Sequence, residues 1–138
     1  MSEKEEILKE LKDAFPLFEI EMLSTEQRGN KSLIVVKGFS QNGNIDDWYS
    51  RTVYPIWWEM ISILDNYKRG LRSFRLLFVR GNQFMLHSPN VDCGDVFREF
   101  KELLYKDISG YDSMQRYVGE CRDINELLEY LTTTQIWF

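Results

Sequence analysis

One histidine, two cysteines and a few paired acids are what this chain offers to active-site chemistry. His87 stands alone, so no mechanism that needs two imidazoles is open to it. Asp92, Cys93 and Asp95 follow it closely, and a thiol, an imidazole and a carboxylate are the parts of an activated nucleophile. Spacing alone does not bring Cys93 to the ring. A histidine at a strand end before an aspartate-rich helix start accounts for the same residues, and no catalytic role is assigned. Glu19 and Glu21 lie two apart and share a face on a strand. Such a pair can hold a divalent cation, with Lys31 or Lys37 beside it in a nuclease-like site and Asp46 as a further acid. The plainer reading is the solvated face of an edge strand. Asp46 and Asp47 read as helix caps. The glycines of the Gly38–Asn44 loop lack both the spacing and the lysine of a phosphate-cradling loop. Cys93 and Cys121 fit no metal-ligand spacing and make a poor disulfide framework, which implies reduced thiols and a cytoplasm, that of a cell or of a host cell. No metal or cofactor is assigned, and a metal-dependent enzyme built on Glu19, Glu21 and Asp46 is the weakest of the alternatives.

Charge is more informative than any of these motifs. The net charge is −5 and the sequence pI about 5.0, yet residues 66–91 hold Lys68, Arg69, Arg72, Arg75 and Arg80 and no acid at all. Residues 1–26 and 92–138 each carry an excess of five acids. A basic segment in an acidic chain can meet phosphate, nucleic acid or an acidic protein surface, or it can pair with the chain's own acidic helices. Strand alternation sets a limit here. Arg75 shares parity with Val79 and Arg80 with Phe78, so the two do not join one patch. Phe74 and Phe78 lie among these arginines and could stack bases, although core is the plainer reading.

Aromatic residues make up 14% of the chain, enough to raise the odds of a binding surface. Trp48, Tyr49, Tyr54, Trp57 and Trp58 crowd one helical stretch and cannot all face inward. At least one of Tyr49, Tyr54 and Trp58 is expected at the surface, where such side chains anchor interfaces. Trp137 and Phe138 end the chain and pose the same question.

The elements that must position these residues centre on Leu71–His87. Gly81-Asn82 suits a two-residue hairpin turn, which sets Arg80 opposite Gln83, Val79 opposite Phe84, Phe78 opposite Met85, Leu77 opposite Leu86 and Leu76 opposite His87. Val79, Leu77, Phe84 and Leu86 then share one face, and Phe78, Leu76, Phe74 and Met85 the other. Both faces are apolar, which places the hairpin centrally in its sheet or leaves one face for a partner.

Before the hairpin, the pattern predicts a helix over 3–14 with a Ser2/Glu5 capping box. Strands over 18–22 and 32–37 follow. A second helix is opened by Asp46 and Asp47 and is strongest over Ile56–Lys68, with Trp57, Met60, Ile61, Leu64 and Tyr67 as its stripe. Pro55 either kinks this helix or begins a new one, Gly70 suits its end, and its apolar girth predicts a place between two layers. After the hairpin come a third helix with Val96, Phe97, Phe100, Leu103 and Leu104, a connection ended by Gly110, an ambiguous stretch over 114–122 that is read as a strand over 115–121 because Gly119 disfavours a helix interior, and a helix over 124–132. The expected fold is one α+β domain over residues 1–138, in the order α-β-β-α-β-β-α-β-α, with a mixed or antiparallel sheet of about five strands. The charged, helical-period N-terminal stretch is neither a signal peptide nor a membrane span, so no membrane partner is expected.

The leading expectation is a non-catalytic intracellular macromolecule-binding protein, of inhibitor, immunity, chaperone or adaptor type, that meets a protein partner through Tyr49, Tyr54, Trp58, Trp137 and Phe138. Its alternative is nucleic-acid or phosphate binding through Lys68, Arg69, Arg72, Arg75 and Arg80. The surplus of apolar surface on the hairpin, the central helix and the tail favours a symmetric homodimer over a monomer.

Overall fold

Gly81, at φ +60°, and Asn82 turn the chain between β3 (Phe74–Arg80) and β4 (Gln83–His87), a positive φ that glycine adopts without the clash a Cβ would bring. The pairing is the expected one, from Arg80 opposite Gln83 to Leu76 opposite His87. These strands belong to a computed structural model that describes residues 2–24, 32–67, 74–87, 104–111 and 116–133.

Among the described residues the sheet has six strands in the order β1-β2-β3-β4-β6-β5, with β1 Glu19–Ser24, β2 Ser32–Lys37, β5 Leu104–Tyr111 and β6 Arg116–Cys121. The hairpin therefore occupies its centre. β2 and β3 pair in parallel and every other neighbouring pair is antiparallel, so the sheet is mixed. The α+β class and the element order agree with expectation. β5 is an addition: Leu104 and Gly110, read as a helix residue and a connection, lie inside it. The remainder of the expected third helix lies outside the described residues.

Parity along the central strands divides the core. Phe74, Leu76, Phe78 and Met85 pack with Ile34, Val36 and Val118 beneath α1 (Glu3–Ala14) and the central helical run. Leu77, Val79, Phe84 and Leu86 pack with Leu33, Val35 and Cys121 against Leu127 and Leu131 of the last helix, α4 (Ile124–Thr133). Both faces of the hairpin are thus covered by the chain itself. Each large apolar side chain so buried contributes roughly 1.5–3 kcal/mol.

α1 begins where Ser2 accepts a hydrogen bond from the Glu5 backbone N–H at 3.2 Å, and it buries Ile7 and Leu11. α4 begins at Asp123, whose side chain accepts from Asn125 N–H at 2.9 Å.

The helical run that crosses from β2 to β3 has three parts: α2 (Ile45–Asp47), a π-helical segment (Trp48–Val53) and α3 (Tyr54–Leu64). Its cap is Asn44, whose Oδ1 accepts from Asp47 N–H at 2.8 Å. Asp46 and Asp47 therefore sit in the first turn, favoured by the helix dipole, and do not cap it. Pro55 lies in the first turn of α3. It lacks the N–H that an α-helix would donate to the Arg51 carbonyl, and the widened π turn just before it accommodates the break. Tyr54 N–H reaches back to the Tyr49 carbonyl in the π manner. The helix stops at Leu64, short of the expected end, and Tyr67 leaves it to donate a short hydrogen bond to Glu10 of α1. Nor does α3 lie between layers. Trp57, Met60, Ile61 and Leu64 face the sheet, while Trp58, Glu59 and Ser62 are exposed.

Candidate functional site

The outer side of the helical run carries an aromatic cluster set by the helix spacing. Tyr54 and Trp58 are four residues apart and so are neighbours on one face, with Trp57 beside them turned to the core. Trp57 is buried, and the Trp58 ring stands against it at 5.0 Å between centroids and 60° between planes. Tyr54 meets Trp58 edge-on at 6.2 Å and Trp57 at 5.6 Å, and Tyr49 meets Tyr54 at 6.3 Å. Trp58 remains 49% exposed, and Tyr49 and Tyr54 are partly buried. Three of the five expected partner-binding residues thus form one connected face. Trp137 and Phe138 lie outside the described residues.

The cluster continues inward. Trp57 meets the His87 imidazole edge-on at 5.2 Å, and His87 is wholly buried. The histidine is therefore part of the core under α3, on the same sheet face as Met85, and has no contact with solvent. Asp92, Cys93 and Asp95 lie outside the described residues.

Of the five basic residues, Lys68, Arg69 and Arg72 also lie outside the described residues. Arg75 and Arg80 are each only 3% exposed, and they stand at opposite ends and on opposite faces of β3. The two do not join one exposed patch, as strand parity implied. Strand parity separates them and burial removes them from the rim. Arg80 is a clamp. Its Nε and one terminal nitrogen donate to Gln83 Oε1, the former at 2.7 Å, and its terminal nitrogens also donate to the carbonyls of Asn42 at 2.8 Å and Gly43 at 3.0 Å. The guanidinium carbon lies 5.2 Å from the centroid of the Trp48 ring. Gly43, at φ +85°, permits the turn that aims these carbonyls inward. This loop-holding role was not visible in the sequence, because backbone carbonyls leave no residue signature. The one usable signal was an arginine closing an otherwise apolar strand beside an Asn-Gly-Asn loop.

The carboxylate pair behaves as an edge. Glu19 and Glu21 are exposed on β1, and Glu21 pairs with Lys37 of β2 at 4.0 Å. Asp46 is exposed on α2, and among the described residues no group of three or more His, Cys, Asp or Glu side chains is placed to hold a metal ion. Cys121, a free thiol, is buried where β6 ends against the hairpin turn. Asn82 O accepts both Cys121 N–H at 2.8 Å and the Sγ–H at 3.5 Å, and Asn82 Nδ2 donates to Arg122 O at 3.1 Å. Burial pushes the thiol up to about 11, with the Asp123 charge adding to the effect. That suits a structural cysteine and not a nucleophile, which needs a lowered value. Among the described residues no helix is long and apolar enough to cross a membrane.

No protein-family model matches the chain, and neither a curated protein nor a solved structure matches it.

Proposed function

We propose that this chain is a non-catalytic macromolecule-binding protein, of inhibitor, immunity, chaperone or adaptor type, which meets a protein partner through Tyr49, Tyr54 and Trp58. The observation that carries this reading is the state of Trp58: half exposed, yet held by Trp57 and Tyr54. An indole fixed in this way has already lost much of the side-chain freedom that binding would otherwise cost, which is what distinguishes an interface anchor from an incidental surface residue. The acidic balance of the chain, pI about 5.0, favours a basic partner through electrostatic steering. A reduced, cytoplasmic setting fits the buried free thiol.

The test is affinity capture from the native host at mild salt, with the wild type beside Trp58→Ala and Tyr54→Ala. A partner retained by the wild type is expected to be lost from Trp58→Ala, by roughly 30-fold or more in affinity if Trp58 is a hot spot worth about 2 kcal/mol. Thermal unfolding should show both variants folded. Equal retention by all three proteins, or no specific partner, would remove the proposal.

A further inference from the structure

Beside the clamp, the Gly38–Asn44 loop and the π-helical segment enclose a recess of about 200 Å³, open to solvent on one side. That is more than ten times the roughly 10–15 Å³ that one water requires. Its wall mixes the neutral polar side chains of Ser40, Asn42, Asn44 and Thr52 with three charged ones. Arg80 lines it, nearly buried, and its five N–H groups have only four hydrogen bonds, all to neutral oxygens of Gln83, Asn42 and Gly43. No carboxylate among the described residues comes within ion-pair distance of it. The indole of Trp48, 4% exposed, lines the same recess, and its Nε1–H is buried with no acceptor among the described residues. A buried cation without a counter-charge and a buried donor without an acceptor each carry a cost that a ligand can relieve.

The remaining charges on the wall are Arg51 and Asp47, which pair with each other at 4.0 Å while both stay exposed. With Arg80 they leave one positive charge in excess. Phe39 and Trp48, edge-to-face at 5.5 Å, provide an aromatic wall.

We infer that this recess is a binding site for a small monocarboxylate with an apolar body, its carboxylate facing Arg80, Arg51 and the Trp48 indole N–H, its body against Phe39 and Trp48. A single excess positive charge matches a monoanion, whereas a phosphate dianion would meet the Asp47 carboxylate with charge to spare. The site is independent of the aromatic face proposed above, because Trp58 and Tyr54 take no part in it.

Titration with sodium benzoate, sodium phosphate and sodium chloride at matched ionic strength tests it, followed by the indole N–H resonances in proton–nitrogen correlation spectra. Trp48→Phe assigns the relevant signal. The expected result is a saturable shift of the Trp48 indole resonance by benzoate, with a dissociation constant of about 1 mM or tighter. Arg51→Gln should weaken binding about two- to five-fold, as for an exposed charge, and Asp47→Asn should strengthen it by a similar factor. Arg80→Lys should weaken it at least ten-fold. If that variant fails to fold, the opposite signs of Arg51→Gln and Asp47→Asn still decide. A linear shift that does not saturate, the same shift with chloride, saturation by phosphate alone, or no change in either surface variant would overturn the assignment.

Discussion

Two residues tie stability to alkaline pH through different causes. Tyr67 is raised from 10.0 to about 12, first by its hydrogen bond to Glu10 and then by burial, while the Cys121 thiol is raised from 9.0 to about 11 by burial. Both groups are neutral when protonated and lose a proton more easily in the unfolded chain. Their stabilising contribution is therefore complete below the unfolded values and falls as pH rises, from about 9 to 11 for the thiol and from about 10 to 12 for the phenol. Urea midpoints measured from pH 8 to 12 should decline across that window, and Tyr67→Phe should flatten the upper part of the decline. A second prediction separates the two adjacent tryptophans. Trp57→Ala empties a core position and should cost about 3–5 kcal/mol, whereas Trp58→Ala should cost about 1 kcal/mol or less. Denaturant unfolding of the two variants, with unchanged slopes, checks the difference.

Among the elements, the hairpin turn is the most exposed to a single change. Gly81→Ala would hold a Cβ at φ +60° and bring it 3.4 Å from the Gln41 side chain. A loss of about 1–2 kcal/mol is expected by urea unfolding, from the left-handed backbone penalty. This hairpin was the most legible part of the chain, because two runs of period two flank a pair of turn residues and both faces are apolar. β2, α1 and α4 were legible for similar reasons of period and capping, whereas β6 was ambiguous between strand and helix, with Gly119 the one signal against a helix interior. β5 was not legible. Asp107, Ser109 and Gly110 are poor strand formers, and its register with β6 shifts twice, between Leu104 and Lys106 and between Lys106 and Ser109, which breaks the alternation a reader looks for. The π segment was likewise hidden, since Pro55 announces a disturbance without stating its form. Of the candidate site, Trp58 could be anticipated from overcrowding on one helix. The recess could not, because it joins a loop, a helix and a strand end far apart in sequence.

At the scale of the whole molecule, the expectation of a dimer rested on apolar surplus at the hairpin, the central helix and the tail; the chain covers both hairpin faces with its own helices, and the tail lies outside the described residues. Among the described residues, the large apolar side chains left exposed are Leu17 and Trp58. Sedimentation at micromolar concentration should therefore show one species near 16.5 kDa. A dimer that dissociates on Trp58→Ala would instead mean that a second copy is what the aromatic face meets. Among the described residues the sheet ends in β1 on one side and β5 on the other. One bears the exposed acids Glu19 and Glu21, the other the irregular register, and both are devices that discourage a further strand from adding on. Only the first of these is made of charge, so a single substitution can weaken the rim guarded by glutamates but not the irregular one. Near pH 5, where the molecule approaches zero net charge, solutions should turn cloudy through growth at the β1 rim, and Glu21→Gln, which removes one acid from that rim and raises the isoelectric point, should move the onset of turbidity to higher pH.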